Sequence, residues 1–262
     1  MIPRAAITEW TATAAWKNLH QVEQDLIISR ALVAIFSDEV LSSKLAFRGG
    51  TALHKLFFPP QQRYSEDIDL VQLKAEPVGM IINRLRDVLS FLGTPQIKQK
   101  MSNNVLLFRF TTTFPPEIQM KLKVEINCKE HFSVLGLTKM PFAVDNQWFS
   151  GNCEITIYQL AELLGTKLRA LYQRRKGRDL FDLYKALTLQ QVNTADVIRC
   201  YHQYMQFSVG NPPSSKEYLQ NMELKMQDEE FINDMNGLLR PSENYDPRIA
   251  YELVKEEILE KL

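Results

Sequence analysis

Two short patterns within residues 47–70, FRGGTALHKLFFPPQQRYSEDIDL, restrict what this chain can fold into more than any other stretch. In Asp67-Ile68-Asp69-Leu70-Val71, acids alternate with aliphatics. On a strand, residues two apart face the same way, with backbones roughly 6–7 Å apart. The aliphatics then enter a core while both carboxylates project into one space. Unpaired, they repel, and a divalent cation is the ordinary remedy. Upstream, the apolar run Leu45, Ala46, Phe47 meets Gly49, Gly50 and Thr51, followed by Leu53, Leu56 and Phe57 at helical spacing. That order predicts strand, tight turn and helix. A glycine turn lets backbone approach a ligand closely, and the N–H groups of the helix after it suit a phosphate.

The surrounding chain predicts a sheet, then helices. Helices are expected over 5–17 and 19–36, with Trp10 and Trp16 packed in the core or, alternatively, forming a partner or base-stacking surface, and over about 77–92. Strands are expected at 105–113, at 120–128 and at 154–158. In MKLKVEINC, residues 120–128, Leu122, Val124, Ile126 and Cys128 share one face, with Lys121, Lys123, Glu125 and Asn127 on the other. Glu125 is thus a strand acid able to join Asp67 and Asp69 where the strands are neighbours. From Gln159 the pattern is helical, over 165–187 with a break at Gly177, then near 194–207, 215–225, 228–239 and 247–261, with Gly210–Ser215 as an internal linker. The expected class is α+β, a mixed sheet flanked by helices, with a core over residues 1–158 and a helical region over 159–262 that closes over a nucleotide.

With 262 residues and 45% hydrophobic content, a sizeable core is available. Lys plus Arg and Asp plus Glu both number 31, so no global field draws the chain to nucleic acid or membrane, and any basic surface is local. Three widely spaced cysteines without Cys-x-x-Cys suit a reducing compartment. Lacking an apolar run behind a basic start, and any stretch of about eighteen apolar residues, the sequence predicts a soluble cytoplasmic protein without membrane association.

Three carboxylates on two strands beside a glycine turn suit phosphoryl or nucleotidyl transfer. Hard oxygen ligands without His or Cys favour Mg²⁺ or Mn²⁺. Arg48 and Arg63 flank the turn and the acids, Arg63 and Ser65 are candidate nucleotide- or phosphate-binding residues, and phosphorylation of Ser65, two residues before Asp67, would add about two negative charges and switch an enzyme off. Lys167 and Arg174, two helical turns apart, can reach phosphates from one face. Asp179 and Asp182, at i and i+3, can orient Lys167 or a ribose hydroxyl, or serve as a cap and surface ion pairs. The run Arg174, Arg175, Lys176, Arg178 is either a solvated helix end or a nucleic-acid contact. His54 is expected on a helix surface.

FRGGTALHKL, RYSEDIDL and KLRALYQRRKGRDLFDLY together resemble the nucleotidyltransferase toxins of bacterial abortive-infection and toxin–antitoxin systems, the AbiEii/AbiGii family of the polymerase-beta-like superfamily. The resemblance implies a metal and triphosphate site at Gly49, Gly50, Thr51, Asp67 and Asp69. It also implies nucleotide binding and catalytic support from Lys167, Arg178, Asp179 and Asp182, with Thr51 where the superfamily commonly has serine. The expected reaction moves a nucleotide from an NTP to an acceptor hydroxyl, such as a tRNA 3′ end, with a cognate antitoxin as a possible partner. A metal-dependent phosphohydrolase and a catalytically silent nucleotide- or partner-binding module are the alternatives.

Overall fold

In the computed structural model, which describes residues 2–99 and 102–262, helices lead into a strand, a glycine turn and the acid-bearing strand in the expected order. The helices α1 (Arg4–Trp10), α2 (Leu19–Phe36) and α3 (Glu39–Lys44) precede β1 (Leu45–Arg48). Asn18 caps α2 through the His20 amide, and Asp38 caps α3 through the amides of Val40 and Leu41. The short helix α4 (Gly49–Ala52) runs into a π-helical turn, Leu53–Phe57. Then follow β2 (Asp67–Gln72), α5 (Gly79–Val88), β3 (Gln96–Gln99), β4 (Asn103–Thr111), β5 (Gln119–Asn127), β6 (Leu137–Val144) and β7 (Gly151–Tyr158).

Among the described residues these strands form one sheet in the order β3-β4-β5-β2-β1-β7-β6. It is mixed: β2 runs parallel to β5 and β1 parallel to β7, whereas β1 with β2, β3 with β4, β4 with β5 and β6 with β7 are antiparallel. Parallel neighbours need crossovers, which the intervening segments supply. The class is α+β. β1 and β2, mid-sheet, contribute fully buried Leu45, Ala46, Phe47, Ile68 and Val71, joined by Val124 and Ile126 of β5. Long α2 is buried over most of its surface, so its polar residues need partners. Glu23 accepts from the Thr113 amide, while Gln24 donates to the carbonyls of Glu66 and Lys121 and accepts from the Tyr64 hydroxyl. Asp25 accepts from Trp10 Nε1 at 3.0 Å and Lys55 Nζ at 2.8 Å.

Three departures from the sequence reading have local causes. The helix expected over 5–17 stops at Trp10, where the Thr11 hydroxyl turns back to the Thr8 carbonyl at 2.6 Å and competes with the helix ladder. Trp16, beyond that helix, is nevertheless buried, as is Trp10. The expected strand set lacks β3, whose four side chains are mostly exposed, and β6, whose Pro141 argues against a central strand. β6 is an edge strand, where the missing proline N–H costs no ladder bond.

The chain divides into two compact units, Met1–Phe132 with Leu137–Tyr158, and Ser133–Gly136 with Gln159–Leu262. The second is helical: α6 (Leu160–Gln173), α7 (Gly177–Leu189), α8 (Thr194–Val209), α9 (Ser215–Lys225), α10 (Glu229–Asn233) and α11 (Pro247–Glu257). The helix expected over 228–239 shrinks to α10 and ends well before Gly237, whose φ is +77°. Residues 133–136 join this unit through Glu162, which is fully buried and accepts from Ser133 Oγ and the amides of Val134 and Leu135, as well as from the Tyr204 hydroxyl. Lys225, also buried, donates to the Leu171 and Tyr172 carbonyls near the end of α6. No described helix is long and apolar enough to cross a membrane.

α6 and α8 meet at Gly165, where an added Cβ would stand 2.6 Å from the Cys200 Cβ and 2.9 Å from the Tyr201 nitrogen. Backbone cannot yield as a flexible side chain does. Gly165→Ala is therefore expected to destabilise the protein by about 1–3 kcal/mol, read as a lower denaturation midpoint at unchanged slope.

Candidate active site

The predicted site residues fall into two clusters, one in each unit. In the sheet unit, β2 alternates as expected: Ile68 and Leu70 are buried, whereas Asp67 and Asp69 keep partial exposure. Register then decides their company. Asp69 lies opposite Arg48 of β1 on one side and Glu125 of β5 on the other, and Asp67 lies opposite Lys123. Lys123 Nζ stands 3.0 Å from Asp67 Oδ2 and 3.2 Å from Glu125 Oε2. The other Glu125 oxygen accepts from Asn103 Nδ2 at 2.6 Å. Arg48 forms its ion pair with Glu130.

The charges are strained by their surroundings. Burial raises the Asp67 carboxyl above its ordinary range against the attraction of Lys123, with Glu66 and Glu125 adding repulsion. Burial and then Asp67 itself raise Asp69, which Arg48 and Lys123 only partly offset. Burial disfavours the charge on Lys123, but Asp67, Asp69 and Glu125 together outweigh it and push the ammonium up to about 12. For Arg48, too, burial opposes the charge, and Glu130, foremost among the groups that favour it, with Tyr158 and Asp69, tips the balance upward.

The two glycines prove necessary for packing. Gly49 has φ +84°, and a Cβ there would run into the Asp69 carboxylate; one on Gly50 would run into the Arg63 guanidinium. The turn thus lies directly against one acid of β2. Thr51 is buried, its hydroxyl 2.5 Å from the Asp67 carbonyl and 2.7 Å from Ser65 Oγ, so it braces the turn against β2. Arg63, expected to bind phosphate, is among the largest fully buried side chains; its Nη1 donates to the Tyr64 carbonyl at 3.0 Å. Its place beneath Gly50 makes it a support of the turn and corrects that expectation. His54 is likewise not on a helix surface: it is fully buried, edge-on to Phe58 at 5.3 Å.

In the helical unit, α6 and α7 bring Lys167, Asp179 and Asp182 together. Lys167 Nζ lies 3.1 Å from Asp179 Oδ1 and 2.7 Å from Asp182 Oδ2, and both aspartates are fully buried. The i, i+3 spacing on α7 does place both acids on one face, and their burial sets aside the reading of a cap with surface pairs. Arg174 does not continue the Lys167 face. It ends α6 with extended backbone and grips Asp179 with two nitrogens, at 2.6 and 2.8 Å. Burial alone would raise the Asp179 carboxyl, but Lys167 and Arg174 hold it below its ordinary value. Beyond Arg174 the basic run meets acids at longer range: Arg175 with Asp228 at 3.4 Å, and Lys176 and Arg178 with Asp234 at 3.7 and 3.6 Å.

Lys123, Asn103 and Glu130 were not singled out in the sequence. Lys123 carried a signal, since it shares the face of Glu125; Asn103 and Glu130 carried none, because only register and loop placement bring them to the acids. Among the described residues, no group of three or more His, Cys, Asp or Glu is gathered in a form that could hold a metal ion. What the sheet offers is a carboxylate pair with a third acid alongside, occupied by a lysine.

Asp179→Ala is expected to cost about 1–3 kcal/mol, because buried Lys167 loses one of its two carboxylate partners, keeping Asp182, and half-exposed Arg174 loses its two bonds to the acid. A depressed native value means that Asp179 contributes its stability above the unfolded value of about 4 and loses it as pH falls through the native value. The gap in Tm between wild type and Asp179→Asn should therefore be widest near neutrality and close on acidification below about pH 4.

The chain matches the family described as "Nucleotidyl transferase AbiEii toxin, Type IV TA system" over residues 30–256. No curated protein matches it significantly. Among solved structures, MenT4, a nucleotidyltransferase toxin from Mycobacterium tuberculosis H37Rv, is similar with TM-score 0.65 and 16% identity, covering 100% of this chain and 91% of its own. JHP933 from Helicobacter pylori is similar with TM-score 0.55 and 16% identity, covering 93% of each chain. At such identity these two likenesses speak for the fold, and the family match speaks for the activity: the chain belongs to the AbiEii nucleotidyl transferase toxins of type IV toxin–antitoxin systems.

Proposed function

We propose that this toxin transfers a nucleotidyl group from an NTP to an RNA hydroxyl, the 3′ end of a tRNA, in a reaction that depends on Mg²⁺ or Mn²⁺. The observation that carries the reading is the placement of Asp67 and Asp69 on one partly exposed face of β2, in register with Glu125 and against the Gly49 turn. The donor set fits such an ion. Mg²⁺ is commonly held by one or two carboxylates together with substrate phosphates, and Asp67 and Asp69 are two such carboxylates on one face of a strand. Asp67 and Asp69 would hold it, with Glu125 as the further candidate. Bound there, the ion would lend Lewis-acid charge to the triphosphate and to the acceptor hydroxyl.

The chain's own groups supply the rest. Asp67 and Asp69 fix the position of the reacting phosphate, Gly49 and Gly50 keep the turn close to them, and Thr51 with Ser65 braces it. Within the helical unit, the family resemblance implies a nucleotide-binding role for Lys167, Arg178, Asp179 and Asp182, of which Lys167 is held between the two aspartates. In the transfer the acceptor hydroxyl oxygen bonds the α-phosphorus and releases its proton to solvent, the bond from that phosphorus to the bridging oxygen breaks, and pyrophosphate departs with the bonding electron pair. The 174–178 run supports an RNA acceptor. The exposed cations Arg175 and Lys176 meet Asp228 and Asp234 only at 3.4 and 3.7 Å, loose pairs in which RNA phosphates can replace the acids. The burial of His54 removes the histidine nearest the turn as a hydrolytic base, which disfavours a phosphohydrolase.

Labelled NTPs incubated with the protein, Mg²⁺ and total RNA should leave label in tRNA. Asp67→Ala should reduce incorporation by on the order of a hundredfold or more with little change in Tm. Release of inorganic phosphate without labelled RNA would indicate hydrolysis instead, and full incorporation by Asp67→Ala would dismiss the assignment of the acids.

A further inference from the structure

Lys123 stands where a cation is needed. It is in register with Asp67 across the β2–β5 ladder, one pleat from Glu125, and its ammonium bridges an oxygen of each at 3.0 and 3.2 Å. A divalent ion binds carboxylate oxygen at about 2.1 Å, along the lone pairs that an ammonium donor also uses. Both cannot occupy the same Asp67 oxygen direction, and two cations a few ångströms apart repel.

Exposure separates this lysine from two buried ones paired to aspartates. Lys55 and Lys167 have side chains 3% and 8% exposed, locked on nearly inaccessible aspartates. The side chains of Lys123, Asp67 and Glu125 are 36%, 34% and 26% exposed. A lysine at that depth can swing its four-carbon stem into solvent, and the pair it leaves is of the weak, screened kind. The acids stay where they are, because Gln24 ties the Glu66 carbonyl, just before Asp67, to the Lys121 carbonyl, and Asn103 holds Glu125. The flexible member of the cluster is the lysine.

We propose that Lys123 is a tethered counter-cation, a positioning residue that occupies Asp67 and Glu125 in the nucleotide-free toxin and is displaced when the divalent ion arrives with its nucleotide. This rests on the metal-binding assignment of Asp67 and Asp69 above. The consequence is ordered loading. The free protein holds a divalent ion weakly, and the triphosphate, bringing negative charge, gives both the ion and the displaced ammonium a partner. The acid pair is kept from lasting repulsion without a permanently bound metal.

The test is Mn²⁺ binding to nucleotide-free protein, followed by electron paramagnetic resonance, for wild type, Lys123→Met, Lys123→Arg and Asp67→Asn. Lys123→Met should bind Mn²⁺ about tenfold more tightly than wild type, and Lys123→Arg, which keeps the charge, should stay near wild type. Should Lys123→Met lower Tm markedly, Lys123→Gln serves in its place. Equal or weaker Mn²⁺ binding by the folded neutral variants, while Asp67→Asn abolishes the binding seen in wild type, would overturn the role of Lys123 and leave the metal assignment standing. Mn²⁺ binding by Asp67→Asn equal to wild type would overturn both.

Discussion

Repulsion between Asp67 and Asp69 is the constraint to which the rest of the sheet unit answers. Two carboxylates two residues apart on a central strand stay close to each other, and partial burial raises the cost of their charge. The sheet answers with strand order. Placing β2 between β1 and β5 brings Arg48 to one side of the pair and Lys123 with Glu125 to the other. Arg48 is itself restrained by Glu130, so it offsets Asp69 from a distance instead of closing on it. The acids are balanced yet remain partly open, a condition suited to a site that must accept charge during its reaction.

The glycine turn is a second answer to the same geometry. A chain passing so close to the Asp69 carboxylate leaves no room for a Cβ, and the buried Arg63 imposes the same demand from below at Gly50. Thr51 fastens the turn to the carbonyl of Asp67. Farther back, Lys55 reaches Asp25 on α2, and Gln24 of the same helix holds the residues leading into the acids. Long α2 therefore acts through its polar face as well as its apolar one, holding the turn and the acid strand at a set spacing. The helical unit solves its charge problem differently, with two inaccessible aspartates closed around Lys167 and one of them, Asp179, also gripped by Arg174.

Much of this was legible in the residues themselves. The alternation of 67–71 named a strand and sorted its faces, the sequence LAFRGG named strand and turn, and the i, i+3 acids of α7 were placed on one face, because each depends only on the local period of strand or helix. The pairing of the acids with Glu125 was readable as a conditional statement, since alternation shows which face a residue takes but not which strand lies beside it.

Neighbours in space required the tertiary structure. Arg63 and His54 look available in a sequence because nothing local reports that the turn will close over one and bury the other. Lys123 looked like a surface lysine on a half-exposed strand until the parallel register of β2 and β5 set it against Asp67. Pro141 concealed an edge strand because tolerance of proline depends on having no neighbour on one side, a property of the sheet and not of the segment. Local periodicity thus determined the elements and the identity of the acids, whereas strand order, register and burial decided which charges meet, because electrostatics acts through distances that only the folded chain sets.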